Sequence, residues 1–342
     1  MEMKRWGLML LNLGTPDSTD VPDVRRYLRE FLSDPRVLDI NPINRWLLLN
    51  LVILRSRPKE SSEAYRTIWT DAGSPLLVHG LALRENVQAL YGNTVLVTLA
   101  MRYQNPSISA ALAQFKAEGI DNIAICPLFP QYASASTGSA VEKVFSEAGR
   151  LWNVPNIHIV PPFFDHPDFI RAFTEVTQPV IEAFTPERVV MSFHGLPERH
   201  CIKSDEVGGH CLQTAHCCEQ MVKANRNCYR AQCFATAKAL TASLNLSPEE
   251  VIITFQSRLG RDPWIKPYTD DVINGLAEEG IKRVAVMCPA FVADCLETLE
   301  EIAIRADEDF RKRGGEKLLL VPSLNSTDTW SSAVKSIVGT PF

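Results

Sequence analysis

The chain lacks most of the marks by which a function is usually read. There is no G-x-G-x-x-G and no G-x-x-x-x-G-K-[ST], so neither common nucleotide-phosphate cradle is present. G-x-S-x-G is missing too, which removes support for an ordinary hydrolase. With 35 Lys and Arg against 40 Asp and Glu, the net charge is −5, and no basic surplus favours nucleic acid. No stretch approaches the roughly 20 apolar residues of a spanning helix. Glycine, at 17 residues, is not enriched, and no low-complexity tract or charged tail interrupts the 342 residues. The opening "MEMKRWGLMLLNLGTPDS" sets basic residues before an apolar run. Asn12 and Gly14 break that run and no small-residue cleavage site follows, so a buried first strand in a cytoplasmic protein is expected.

What the chain does have is an alternation of short apolar runs and helical stretches over a length that suggests two domains. "GLMLLNLG", "VLVTLAMRY" and "NIAICPLFPQ" come first; "RVVMSFHGLP", "VIITFQSR" and "RVAVMCPAF" follow. Continuous apolar runs between helices read as parallel strands covered on both faces, hence an α/β fold. The two sets resemble each other. "LLNLGTP" pairs with "MSFHGLP", "LVTLAMRYQNP" with "IITFQSRLGRDP", and "EGIDNIAICPLF" with "EGIKRVAVMCPAF". Three matching pieces in one order predict a duplicated lobe, divided here as residues 1–170 and 171–342. Ligands of open parallel sheets sit beyond the carboxyl ends of the strands, and a cleft between the lobes is the expected site.

Those strand ends carry chemistry. His194 closes one strand, with Gly195 permitting close backbone approach. Asp294, Glu297 and Glu301 fall at i, i+3 and i+7, one face of a helix expected just after Pro289. They read either as a solvated acidic helix start or as carboxylates able to pass protons or bind a divalent metal. Arg102, Tyr103, Ser257, Arg258 and Trp264 combine aromatic surface with anion-pairing groups, which suits an apolar, carboxylated ligand. The block "RWLLLNLVILR", Arg45 to Arg55, reads as core or as an exposed lip.

Five of the nine cysteines lie in "HCLQTAHCCEQMVKANRNCYRAQC", residues 210 to 233. In a reducing compartment clustered thiols are more often metal ligands than disulfides. Zinc would favour C-x2-C knuckles, and none occurs. Irregular spacing with four or more thiolates better suits an iron–sulfur cluster, with zinc or free thiols as the alternatives. Cys126 and Cys288 end buried strands and read as core.

Taken together, "LLNLGTP", "YRTIW…GSPL", "AMRYQNPS", "CPLFPQYASASTGS", "SFHGLPERH", "FQSRLGRDPWIKPYTD" and "PAFVADCLETLEEI" resemble the ferrochelatases in order and over nearly the full length. The resemblance implies two similar Rossmann-like lobes around a cleft. It implies insertion of Fe2+ into protoporphyrin IX to form protohaem, with a coproporphyrin chelatase or a non-catalytic haem- or iron-binding protein as the alternatives. His194 would be the catalytic histidine and Glu297 the opposing carboxylate, the two sharing contact with the substrate iron. Asp294 and Glu301 would continue an acidic path. Leu13, Arg57, Tyr65, Ser74, Arg102, Tyr103, Ser257 and Trp264 would contact the porphyrin or its propionates, and Phe129 and Phe291 would wall the pocket. Residues 35–54 match the family's active-site lip. A monomer or homodimer with peripheral contact to the inner membrane, and no nucleic-acid partner, are further expectations.

The sequence departs from the family in its cysteines. Some ferrochelatases carry a [2Fe-2S] cluster, in animals with ligands in a C-terminal extension and the PQY loop. Here that loop has Ala135, and no cysteine follows Cys295. A [2Fe-2S] cluster would have to be built within the insertion, about residues 201–233, from four of Cys211, Cys217, Cys218, Cys228 and Cys233. Adjacent Cys217 and Cys218 are not expected to ligate together.

Overall fold

A computed structural model describes residues 5–258, 260 and 262–342. The chain forms two α/β units. One comprises Met1–Phe129, Ser134–Pro162 and Ser326–Phe342; the other comprises Pro130–Ala133 and Phe163–Asn325.

In the first unit β1 (Trp6–Gly14), β2 (Val95–Tyr103), β3 (Asn122–Pro127) and β4 (Asn156–Ile159) form a parallel sheet in the order β2-β1-β3-β4. Leu8 to Leu11 of the central β1 are completely buried, as continuous apolar runs require when helices cover both faces. The helices here are α1 (Val21–Ser33), α2 (Pro42–Leu47), α3 (Leu54–Ile68), α4 (Pro75–Tyr91), α5 (Ile108–Ala117) and α6 (Ser139–Ala148). The core gathers Met9, Leu11, Phe115, Ile125 and Val144.

The second unit repeats the topology. Strands β5 (Arg188–His194), β6 (Val251–Gln256), β7 (Arg283–Met287) and β8 (Lys317–Leu320) run parallel in the order β6-β5-β7-β8. Its helices are α7 (Pro167–Phe184), α8 (Glu198–Lys203), α9 (Tyr229–Ser243), α10 (Thr269–Glu278), α11 (Leu296–Thr298) and α12 (Asp307–Lys312). Val190, Val286, Ile302 and Phe310 build its core.

The repeat extends to backbone detail. Met101 N donates to Pro106 O at 2.7 Å before α5, and Phe255 N donates to Pro267 O at 2.8 Å before α10. Gln104 and Ser257, the residues after β2 and β6, both take positive φ, +62° and +68°. A Cβ on Gly14 would stand 2.2 Å from Tyr103 O, and one on Gly195 would stand 2.8 Å from Gln256 O. Glycine after the first strand of each unit is therefore a steric requirement. In this correspondence Leu13 occupies the place of His194.

The chain's end departs from the two-part division expected from sequence. The final helix α13 (Asp328–Val338) belongs to the first unit, where Asn86 Nδ2 donates to Ser326 O at 2.8 Å. Its buried face, with Trp330 and Val334 fully covered, announces a docking helix but not which sheet it serves. The apolar block is divided between core and surface. Leu49 and Leu54 pack on Leu32, whereas Ile43, Trp46 and Val52 are 70%, 60% and 59% exposed. Among the described residues no helix is long and apolar enough to cross a membrane.

Candidate active site

His194 ends β5, and its ring orientation follows from one contact. Nδ1 lies 2.6 Å from the carbonyl oxygen of Gly195. A carbonyl only accepts, so Nδ1 carries the proton and a neutral ring keeps its lone pair on Nε2. Nε2 has no hydrogen-bond partner among the described residues. The Phe291 ring flanks the imidazole at a centroid distance of 6.3 Å. Trp264 packs beneath the glycine, with Cε3 3.2 Å from where a Gly195 Cβ would sit.

Gln256, directly across from His194 in the β5–β6 register, organises what lies beside it. Its Oε1 accepts from Ser192 Oγ at 2.7 Å. Its Nε2 donates to the Glu297 carbonyl at 2.8 Å and to Glu301 Oε2 at 3.0 Å. Ser257 Oγ donates to the same Glu301 oxygen. The left-handed backbone of Ser257 is uncommon for a residue with a side chain, and such conformations concentrate at functional sites. Arg305 Nη2 reaches Glu301 Oε1 at 3.5 Å. The partly buried Glu297 lies against the Cys295 thiol; burial and then that carboxylate push Cys295 well above its ordinary pKa, so it stays protonated.

The expected acidic helix face needs correction. The helix starts at Leu296 rather than just after Pro289, and widens to π geometry over Leu299–Ala306. Asp294 precedes it and is buried. Its Oδ1 accepts from Thr298 Oγ1 at 3.1 Å and Ser323 N at 3.2 Å; its Oδ2 accepts from Asn325 Nδ2 at 2.8 Å. These bonds close a loop onto the helix start. Glu297 and Glu301 remain as a pair at i and i+4. A π segment of this kind is rare and is frequently found at functional sites.

The other expected contacts lie in the first unit. Arg102 Nη2 pairs with Asp34 Oδ2 at 2.7 Å, and Arg102 Nε donates to Ser139 Oγ at 2.6 Å. The Tyr103 hydroxyl, completely buried, donates to the same Asp34 oxygen at 2.9 Å. Burial and the Asp34 charge push the Tyr103 pKa far up. Arg102 and Tyr103 thus share the buried Asp34 carboxylate and the Ser139 hydroxyl, partners the sequence did not single out. Ser74 Oγ accepts from Thr15 Oγ1 at 2.8 Å at the start of α4. Tyr65 is buried against Trp69, Leu13 is partly exposed, and Arg57 is exposed on α3.

The cysteine-rich stretch makes a second centre within the second unit. Cys228 is the N-cap of α9, and the thiols of Cys201, Cys218 and Cys211 lie within hydrogen-bonding reach of it. Donation from Cys201 and Cys218, with help from the Ala231 amide, holds Cys228 far below an ordinary thiol. The other three are pushed up: Cys201 and Cys218 first by their bonds to Cys228, Cys211 first by burial. Cys217 Sγ is 3.7 Å from Cys218 Sγ but accepts from the Leu212 amide at 3.4 Å. Cys233 is fully buried within α9, beside the Tyr229 hydroxyl. Cys201, which is not among the five clustered cysteines, joins the thiol group through α8, and Cys233 is close enough for its charge to act on Cys201 and to feel that of Cys228. Among the described residues no three His, Cys, Asp or Glu side chains are placed to hold one metal ion. Asp205 folds the loop that brings Cys211 in. Its carboxylate accepts from the amides of Val207, Gly208, His210 and Cys211 at 2.7–3.1 Å, with His210 and Cys211 foremost in holding its pKa near 2.

SirB from Bacillus subtilis, solved with Fe3+, shares this fold with a TM-score of 0.53 at 12% identity, over 98% of this chain and 96% of that one. The ferrochelatase family model matches residues 5–340. A ferrochelatase of Legionella pneumophila (strain Lens) is 46% identical over 99% of this chain and its own whole length. One from Coxiella burnetii (strain Dugway 5J108-111) is 44% identical over 96% of this chain and 91% of its own. The chain belongs to the ferrochelatase family.

Proposed function

We propose that His194 accepts a pyrrole proton, and that Glu297, backed by Glu301, serves the incoming metal, in the insertion of Fe2+ into protoporphyrin IX. Membership in the ferrochelatase family makes the chain a metal chelatase of haem synthesis, joining iron to a porphyrin. The reaction consumes Fe2+ and a porphyrin with two N–H groups and releases haem and two protons. The carrying observation is the Nδ1 contact to Gly195 O, which leaves Nε2 as the basic atom of a neutral imidazole. Gln256 ties the backbone of Glu297 and the carboxylate of Glu301 to the strand beside that imidazole. Negative charge there favours a dication losing its water. A flat macrocycle hides its nitrogen lone pairs, and a site that binds a bent form favours the transition state. Leu13, Arg57, Tyr65, Ser257 and Trp264 are proposed as porphyrin contacts. Arg102 and Tyr103, held by Asp34, are proposed to support the same pocket. Loss of porphyrin fluorescence on adding Fe2+, with protoporphyrin and coproporphyrin compared at steady state, tests this reading. Many turnovers per enzyme with protoporphyrin support it; stoichiometric binding without turnover refutes it.

The thiol centre is proposed to hold a [2Fe-2S] cluster through Cys201, Cys211, Cys218 and Cys228. The donor set fits: four buried thiols converge, one of them at a helix N-cap that stabilises a thiolate. Each iron of such a cluster takes only two of the thiolates, so no three need meet on one ion. Metal insertion needs no net electrons, so the cluster supports folding or reports redox state. Stoichiometric iron and acid-labile sulfide in brown protein support this; colourless protein with one zinc removes it.

The exposed apolar surface within residues 43–52, followed by Arg55 and Arg57, is proposed to contact an anionic lipid face of the inner membrane from the cytoplasmic side.

A further inference from the structure

Cys218 has a partner that metal insertion does not use. Arg230 Nη1 donates to Cys218 Sγ at 3.1 Å. The contact follows from α9 itself: Cys228 is its N-cap, and Arg230 is the second helical residue, so one helix start supplies both a thiol and a cation. The guanidinium lies over the Phe234 ring, 4.5 Å from its centroid. Phe234 is one turn along the same helix face, and the stacking fixes the direction in which the fork points. No carboxylate pairs with Arg230 among the described residues. Its charge is therefore available to the sulfur. With Glu198, Leu212, Thr214 and Lys266, Arg230 also lines a cavity of about 310 Å³ open to solvent, where Glu198 makes no ion pair with it among the described residues, and the guanidinium keeps partial hydration.

We propose that Arg230 is the positioning and charge-balancing residue of the thiol centre, fixing Cys218 as a ligand and raising the reduction potential of the cluster. The inference rests on the [2Fe-2S] reading given above. Four thiolates around a two-iron core make an anionic assembly, and reduction adds one more negative charge. A fixed cation and a hydrogen bond to a ligand sulfur stabilise the reduced form more than the oxidised one. A lysine would keep the charge but lose the planar, stacked fork.

The test compares anaerobically purified full-length wild type, Arg230→Gln, Arg230→Lys and Lys223→Gln. Lys223 is exposed in the same segment and contacts no sulfur described here, so it controls for general loss of charge. Iron and sulfide content, the midpoint potential and the electron paramagnetic resonance of the reduced protein are read for each. Arg230→Gln is expected to lower the reduced-to-oxidised ratio about tenfold at the wild-type midpoint, a shift of about 59 mV for one electron. Arg230→Lys should shift less, and Lys223→Gln not at all. If Arg230→Gln fails to retain iron, the potential of Arg230→Lys supplies the readout, and a value equal to wild type overturns the role. A fully loaded Arg230→Gln with unchanged potential and spectrum overturns the role of Arg230 while leaving the cluster standing. Wild-type protein without iron and sulfide overturns both.

Discussion

Gln256 Nε2 donates to the backbone carbonyl of Glu297 at 2.8 Å, across from the strand that ends in His194. The same nitrogen reaches Glu301, and the amide oxygen is held by Ser192. One buried side chain thus fixes where the acidic segment begins relative to the imidazole. Replacing it with leucine keeps the volume but leaves Ser192 and the carbonyl without their partner. Supporting contacts of this kind are worth about tenfold to hundredfold in metal affinity or activity. Gln256→Leu is expected to lower kcat by that amount while porphyrin affinity changes little. Steady-state kinetics with a porphyrin-binding titration check it.

Asp34 is the corresponding anchor in the first unit. Burial raises its pKa, but hydrogen bonds from Ser139, the Arg36 amide and Tyr103, with the Arg102 charge, outweigh burial and lower it. A carboxyl with a depressed folded pKa contributes stability that is whole above its ordinary value of 3.8 and fades as the pH falls through the folded value. Wild type should therefore lose stability below about pH 4 more steeply than Asp34→Asn. At neutral pH, Asp34→Ala leaves Arg102 as an unpaired buried charge and should cost about 3 kcal/mol. Urea denaturation across pH measures both.

Much of this was legible in the residues, and the exceptions have identifiable causes. The six continuous apolar runs are strands because parallel sheets covered on both faces leave no polar period to confuse the reading. The edge strands β4 and β8 escaped because "NIHI" and "KLLL" are only four residues long and half exposed. His194 announced itself by standing at a strand end before glycine. Gln256 did not, since its importance depends on the register of β5 and β6. The carboxylate line assumed an α period beginning near Pro289, and neither the start at Leu296 nor the π segment has a plain sequence mark. Cys201 escaped because its place depends on how the following loop folds back. The returning α13 shows a buried face without naming its partner.

That loop gives a prediction of its own. Asp205 binds four amides of the loop, including that of Cys211. Asp205→Ala removes their common acceptor, and Cys211 loses its fixed approach to Cys228. The variant should retain less than half the iron and sulfide of wild type after anaerobic reconstitution, with its initial rate of fluorescence loss reduced less. Metal and sulfide analysis of both proteins checks the outcome.

Trp46 offers a reporter for the lip, being 60% exposed on α2. On mixing with vesicles rich in anionic lipid, wild-type tryptophan emission should shift to the blue, and Trp46→Ser should lose most of that shift. Neutral vesicles should give less, because the flanking arginines supply the electrostatic part. Co-sedimentation provides the independent measure.

The central claim is that one imidazole and one carboxylate of the second unit perform the insertion. Multiple-turnover assays with Fe2+ and protoporphyrin on His194→Ala and Glu297→Gln, alongside porphyrin dissociation constants, test it most directly. Each variant is expected to lose nearly all turnover while still binding porphyrin measurably. Wild-type turnover in either variant would contradict it.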